Sequence, residues 1–322
     1  FGKNTNTYFN KYTKCLNLST RKLMKIGLLI GGDSAERDVS LSSGKSIEKA
    51  LISLGHKVVK LDPIDGFASI EDSILNVDLV FNGLHGGDGE NGKIAAQLQS
   101  LNVIYTGSNE QSSRICMDKN LSKKTIAEND INTPKWILKN DTSSDILDGN
   151  FEYPLIVKPN DQGSTIGLSI VKRKDQLKDA FTNALQFADS IIFESYINGR
   201  EITVPIVGSK AYPVIEIIPS HDFYDYECKY TKGMSQYICP AEISNKLSES
   251  IKDLALKIHT ILGCRHYSRV DFLLDSKNEP WFLELNTLPG MTETSLLPKS
   301  LKADGIEFKE IIQMILNEAL RA

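Results

Sequence analysis

Two carboxylates, an arginine and an asparagine are spaced so that a single strand pair would gather them. Ser268-Arg269-Val270-Asp271-Phe272-Leu273-Leu274-Asp275 precedes the polar stretch 276–279. Pro280-Trp281-Phe282-Leu283-Glu284-Leu285-Asn286 follows, and the whole has the composition of a hairpin. With a four-residue turn at 276–279, Asp275 faces Pro280, Asp271 faces Glu284 and Arg269 faces Asn286. Period-two alternation puts the last four on one face, and Val270, Phe272, Leu283 and Leu285 on the other as an apolar layer. Like charges directly opposite each other destabilise a strand pair unless water screens them. A hard divalent cation removes the conflict, because two carboxylates and an amide oxygen suit Mg²⁺, whose remaining positions go to water and phosphate. The pattern points to a Mg²⁺–nucleotide site.

Further segments fit a nucleotide, each with a plainer alternative. Pro159-Asn160-Asp161-Gln162-Gly163-Ser164-Thr165-Ile166-Gly167 links two apolar runs, and its small residues would let backbone N–H groups approach phosphate. No G-K-[ST] follows, so it is not a P-loop, and alone it reads equally as a hairpin loop. Lys158 ends a strand and Lys119 opens a helix, positions that solvated lysines also take. Glu194 and Glu201 flank a strand connection and would suit a surface equally well. The Gly31-Gly32 turn lacks the G-x-G-x-x-G spacing of dinucleotide sites, and the acids after it would repel a pyrophosphate. A carboxylate there suits an ammonium group, which sets an NAD-dependent enzyme aside.

The elements that must position these residues alternate in type. Apolar runs at 26–30, 57–61, 78–84 and 103–105, with helical stretches between them, predict a parallel α/β layer. Ile47, Ala50, Leu51 and Leu54 share one helix face, and Gly55 supplies the stop. The region 118–147 reads as a helix and then a polar connection broken at Thr133-Pro134. Strands at 154–158, 166–172, 191–197, 201–208 and 211–218 follow, with one strong helix at 174–188, an antiparallel α+β texture. A helix at 249–264, the hairpin, and a closing helix at 306–320 complete the chain.

Composition excludes several classes. The chain has 322 residues, 41% hydrophobic and 24% charged, with a net charge of −4, which disfavours nucleic acid and anionic membrane as partners. No apolar run approaches the roughly 20 residues of a membrane span. Five scattered cysteines without a C-x-x-C pair read as free thiols in a reducing compartment, and no histidine spacing suggests zinc. Residues 1–23 carry five Lys or Arg and no acid, and removing those charges leaves the remainder at −9. We expect Met24 to be the functional start and 1–23 a dispensable basic extension. No signal-peptide core is present, so a cytoplasmic protein is expected.

Taken together, the motifs resemble the D-alanine–D-alanine ligases of the ATP-grasp superfamily. The matching stretches are Gly31-Gly32-Asp33-Ser34-Ala35-Glu36-Arg37-Asp38-Val39-Ser40, Leu84-His85-Gly86, Gly89-Glu90-Asn91-Gly92 and Met117-Asp118-Lys119. They continue with Val157-Lys158-Pro159, Gly163-Ser164-Thr165-Ile166-Gly167, Phe223-Tyr224-Asp225-Tyr226-Glu227-Cys228-Lys229-Tyr230 and Arg269-Val270-Asp271. The last are Glu284-Leu285-Asn286-Thr287-Leu288-Pro289-Gly290-Met291-Thr292 and Ser295-Leu296. Their order spans essentially all of 24–322.

The resemblance implies an ATP-grasp fold: a first α/β substrate domain at 24–107, a lid at 108–193 and a catalytic domain at 194–322, the last two sandwiching ATP. It places Lys119, Lys158, Gly163, Ser164 and Lys229 on the phosphates, Glu194 and Ile197 at the adenine, and Glu201 at the ribose. Asp271, Glu284 and Asn286 would hold two Mg²⁺ ions, for which Mn²⁺ would substitute. Glu36 would take the first D-alanine's ammonium and His85 its carboxylate. Arg269 and the Gly290 N–H would form an oxyanion hole, and Ser295, Leu296 and Lys229 would bind the second D-alanine. A mobile loop at 224–236 would close over the site, fastened by Glu36, Ser164 and Tyr230, unless it is merely a Tyr-rich surface loop.

The implied reaction is ATP-dependent formation of D-alanyl-D-alanine through D-alanyl phosphate, for peptidoglycan precursors, by a homodimer. Tyr230 favours the dipeptide over the D-lactate or D-serine products of related ligases. A non-catalytic nucleotide-binding protein is the rival of another class. Two departures stand out. Ser195 replaces a lysine common near the adenine, and Cys228 replaces a small apolar residue, predicting a thiol that ATP and substrate protect from alkylation.

Overall fold

The computed structural model describes residues 23–140, 151–220 and 233–321. Its first layer is a parallel sheet of β1 (Lys25–Leu29), β2 (Lys57–Leu61) and β3 (Leu79–Asn82), in the order β2-β1-β3. Helix α1 (Arg37–Ser53) buries Ile47, Ala50 and Leu51 against it and ends before Gly55, whose φ of +92° continues no helix. The short helices α2 (Glu71–Ile74), α3 (Gly87–Glu90) and α4 (Lys93–Ser100) follow. The expected strand at 103–105 reduces to a single bridge between Tyr105 and Val80.

Helices α5 (Glu110–Met117) and α6 (Lys119–Ala127) meet at Asp118, whose carboxylate caps α6 by accepting from the Leu121 N–H at 2.9 Å. The second sheet runs β4-β7-β5-β6, all antiparallel, from β4 (Trp136–Lys139), β5 (Leu155–Pro159), β6 (Ser169–Val171) and β7 (Ile191–Ser195). Strand β4 lies within the segment read from sequence as a polar connection. Its side chains are only half-buried, so no apolar run marks it. Helix α7 (Leu177–Ala184) covers one face, packing Phe181 on Leu155, Val157 and Phe193. The opposite face carries Ile156, Lys158 and Glu194.

The third sheet has the order β11-β10-β8-β12-β13, with β9 paired to β8. Its strands are β8 (Gly199–Val207), β9 (Lys210–Ala211), β10 (Ile215–Pro219), β11 (Ser235–Ile238), β12 (Tyr267–Asp275) and β13 (Pro280–Asn286). Helix α8 (Asn245–Ile261) buries Ile251, Ala255 and Ile258 against Ile202, Val204, Val270 and Phe272. Cys116 of α5 and Ile126 of α6 belong to this same core, so 110–131 packs with the third sheet. Helix α9 (Leu296–Ala303), unmarked in the sequence reading, precedes α10 (Phe308–Ala319). Ile311, Ile312 and Ile315 of α10 return to the core of the first sheet, beside Ile26, Leu28 and Ile47.

The hairpin departs from its expected turn. Arg269 pairs with Asn286 and Asp271 with Glu284, as the alternation predicts, but Leu274 rather than Asp275 pairs with Pro280. One extra residue on β13, Leu283, makes up the difference as a bulge beside Asp271. Leu283 therefore leaves the apolar layer and lines a cavity, and the fully buried Phe282 takes its place opposite Phe272. The turn is tightened by Asp275, whose Oδ1 accepts from the N–H groups of Lys277 and Glu279 at 2.8 and 2.9 Å. That local cap makes the longer loop stable.

Candidate active site

The uncovered face of the second sheet and the matching face of the third enclose a cavity of about 450 Å³. Ile156, Ile170, Lys158 and Glu194 line it from above, and Glu201, Ile217, Asp271, Leu273 and Glu284 from below. Strand register explains the lower set, since Glu201 pairs with Leu273 and Thr203 with Asp271, all pointing away from the α8 core. Lys119 and Ile197 complete the wall. The volume and the mixture of apolar walls with charged side chains of both signs suit a charged, cofactor-sized ligand.

A second cavity of about 490 Å³ adjoins it, lined by Glu36, His85, Glu90, Gly163, Ser164, Arg269, Asn286, Gly290, Ser295 and Leu296. The hairpin contributes to both: Asp271 and Glu284 face the first cavity, Arg269 and Asn286 the second. The glycine loop divides likewise, with Gln162 and Thr165 on the first and Gly163 and Ser164 on the second. Ser164 and Thr165 hold φ of +52° and +64°, a left-handed turn that costs energy in residues other than glycine.

The charged groups are tightly organised. Asp271 accepts from Arg269 Nε and Nη2 at 2.9 and 2.8 Å, from Asn286 Nδ2 at 2.9 Å, and from the Thr203 hydroxyl at 2.5 Å. Lys119 donates to the Gln162 carbonyl at 2.6 Å and lies 3.5 Å from Glu284 Oε2. Glu194 is buried with Lys158 and Lys123, each 3.0 Å from its Oε2. Burial alone would raise its carboxyl pKa, but the two lysines hold it below the ordinary carboxylate range. The Ser164 hydroxyl donates to Glu36 Oε1, joining the glycine loop to the start of α1. His85 is buried, its Nε2 3.0 Å from Ser43 Oγ and its Nδ1 3.6 Å from Glu90.

Of the residues singled out from sequence, Glu36, His85, Lys119, Lys158, Gly163, Ser164, Glu194, Ile197, Glu201, Arg269, Asp271, Glu284, Asn286, Gly290, Ser295 and Leu296 all line these two cavities. Lys229, Tyr230 and Cys228 lie outside the described residues, as does most of the 224–236 loop. Ser235 and Gln236 at its end belong to strand β11. Sequence reasoning missed Lys123, Thr203 and Glu90. Lys123 stands four residues after Lys119 on α6 and Thr203 two after Glu201 on β8, so helical and strand spacing from the chosen residues would have found both.

The sequence profile of the D-ala D-ala ligase C-terminus matches residues 126–317. The D-alanine–D-alanine ligase of Halalkalibacterium halodurans is 42% identical over 306 residues, spanning 92% of this chain and all of that protein. The chain belongs to the D-alanine–D-alanine ligase family. A crystal structure of the Bacillus anthracis D-alanine–D-alanine ligase complexed with ATP superposes with a TM-score of 0.83 at 33% identity, covering 92% of this chain and 98% of that one. The VanG D-Ala:D-Ser ligase of Enterococcus faecalis superposes at 0.81 with 27% identity, covering 92% and 100%.

The donor set fits a hard divalent cation. Asp271 and Glu284 are cross-strand partners, and Asn286, two residues after Glu284 on the same strand, donates its amide N–H to Asp271 and carries an amide oxygen of the kind such a cation takes. Among the described residues no group of three or more His, Cys, Asp or Glu is placed to hold a metal ion. No helix among them is long and apolar enough to cross a membrane.

Proposed function

We propose that this ligase family member joins two D-alanines to D-alanyl-D-alanine at the expense of ATP, for peptidoglycan precursor synthesis. The observation that carries the reading is the shared hairpin: carboxylates for a cation face a nucleotide-sized cavity, and Arg269 and Asn286 face the adjoining one. The cavity between the sheets takes ATP, the ligand with which the B. anthracis ligase is complexed. Lys119 and Lys158 receive its phosphates, Glu194 and Ile197 border the adenine, and Glu201 faces the ribose.

Asp271, Glu284 and Asn286 would hold two Mg²⁺ ions, which neutralise phosphate charge when bound. In the second cavity Glu36 receives the ammonium of the first D-alanine, and His85, oriented by Ser43 and Glu90, faces its carboxylate. A carboxylate oxygen attacks the γ-phosphorus and ADP departs, giving an acyl phosphate. The free amine of the second D-alanine, held by Ser295 and Leu296, attacks the acyl carbon. Arg269 and the Gly290 N–H stabilise the oxyanion, the amine loses its proton, and inorganic phosphate leaves. Lys229 and Tyr230 are assigned to the second substrate and to loop closure. A homodimer is part of the proposal, checked by light scattering.

The deciding experiment is ADP release with Mg-ATP over D-alanine, L-alanine, D-serine, and D-alanine plus D-lactate, with products identified by mass spectrometry. Turnover on D-alanine alone, giving the dipeptide, is expected. D-alanyl-D-lactate or D-alanyl-D-serine as the main product would move the chain to the related ligases, and ATP binding without turnover would make it a binding protein.

A further inference from the structure

Lys123 has no place in the chemistry above, yet it is fully buried beside the nucleotide cavity. Its Nζ lies 3.0 Å from Glu194 Oε2 and donates to Thr133 Oγ1 at 2.7 Å. The Thr133 hydroxyl in turn donates to the Phe282 carbonyl at 2.9 Å, and the Trp136 ring lies 5.7 Å from the ammonium. Lys158 reaches the same Glu194 oxygen at 3.0 Å, so two ammonium groups share one carboxylate. The two lysines differ in access: Lys158 lines the cavity, whereas Lys123 stands behind its wall and is anchored from two sides.

A single buried carboxylate needs one close cation, and stripping it of its last one is strongly unfavourable. We propose that Lys123 is a positioning residue, the standing counter-ion of Glu194, whose presence lets Lys158 turn from that carboxylate to an anionic phosphate group in the cavity. The inference rests on the nucleotide reading of that cavity. Burial pushes the Lys123 ammonium down to about 8, with Glu194 opposing the shift, so Lys123 remains mostly charged at neutral pH. Without it, Lys158 is the sole cationic partner of Glu194 among the described residues, and each phosphate contact by Lys158 leaves that buried charge unpaired.

The test measures binding of ATP and of inorganic tripolyphosphate by calorimetry in the wild-type chain, Lys123→Met, Glu194→Gln and the double variant. Tripolyphosphate probes the phosphate contacts without an adenine. Lys123→Met should weaken both ligands by about tenfold, and most of that loss should vanish in the Glu194→Gln background, where no carboxylate needs a counter-ion. In turnover, the KM for ATP should rise while kcat at saturating ATP stays within about threefold. Thr133→Val, which loosens Lys123 but keeps its charge, should show a smaller loss of the same kind and serves if Lys123→Met does not fold. Equal losses in both backgrounds, or none in either, would overturn the inference. A wild-type chain that binds no ATP would instead remove the nucleotide reading itself.

Discussion

Asp271 accepts hydrogen bonds from Thr203, Arg269 and Asn286, so the protein itself orients the carboxylate that faces Glu284 across the strand pair. Asp271→Asn keeps the shape and removes the charge. We expect ligation to fall by on the order of 10²-fold or more, and the melting temperature to fall with it because Arg269 loses its buried carboxylate partner, read from ADP release and a thermal melt. Gly290 is constrained differently: a Cβ there would sit 2.9 Å from Ser295 Oγ. Gly290→Ala should displace Ser295, which is hydrogen-bonded to the Thr292 N–H at 3.1 Å, and raise the KM for the second amino acid more than for the first. Equal changes in the two constants would detach Ser295 from the second substrate.

At the scale of elements, the bulge in β13 decides which side chains are structural and which face ligand. Phe282 is fully buried against Phe272, so Phe282→Ala should destabilise the chain by about 3–5 kcal/mol in urea unfolding. Leu283→Ala, on the cavity side, should cost less than about 1.5 kcal/mol and instead raise the KM for ATP. The reverse ranking would restore the unbulged register that a four-residue turn implies. The pairing of Asp271 with Glu284 was legible in the sequence because period-two alternation leaves few registers that keep the apolar face intact. The bulge was not, since a one-residue excess and a one-residue longer turn cancel between Asp271 and the turn.

Across the whole molecule, the core of the first sheet runs into the third through Val207 of β8 and Tyr267 of β12, α10 returns to that shared core, and α5 and α6 pack on the third sheet. Two buried histidines lie beside the third sheet. His259 Nδ1 is 2.6 Å from Ser268 Oγ, and His266 Nδ1 accepts from the Gly107 N–H at 3.0 Å. Burial pushes both down to about 4 from an ordinary 6.5, with Arg265 adding to the effect at His266. Between those values the unfolded chain binds protons that the folded chain refuses, so stability rises with pH across the window and is lost as pH falls from 6.5 toward 4. Urea midpoints at pH 7 and pH 5 should show that loss, and His259→Gln should reduce it. A midpoint unchanged between the two pH values would contradict the buried neutral state of both rings.

The sequence alone determined the alternation of a parallel layer with antiparallel ones, the facing carboxylates of the hairpin, and the residues that share its face. These follow from local periodicity, which one chain segment carries by itself. It also carried the motifs whose order resembles the ligase family. Tertiary structure decided what depends on segments far apart in the chain meeting. The two cavities exist because faces of different sheets oppose each other, and Glu36 meets Ser164 because α1 and the glycine loop converge. Lys123 acquires its role only when α6 lays it against Glu194 of β7, a contact between residues 71 positions apart that no local spacing encodes.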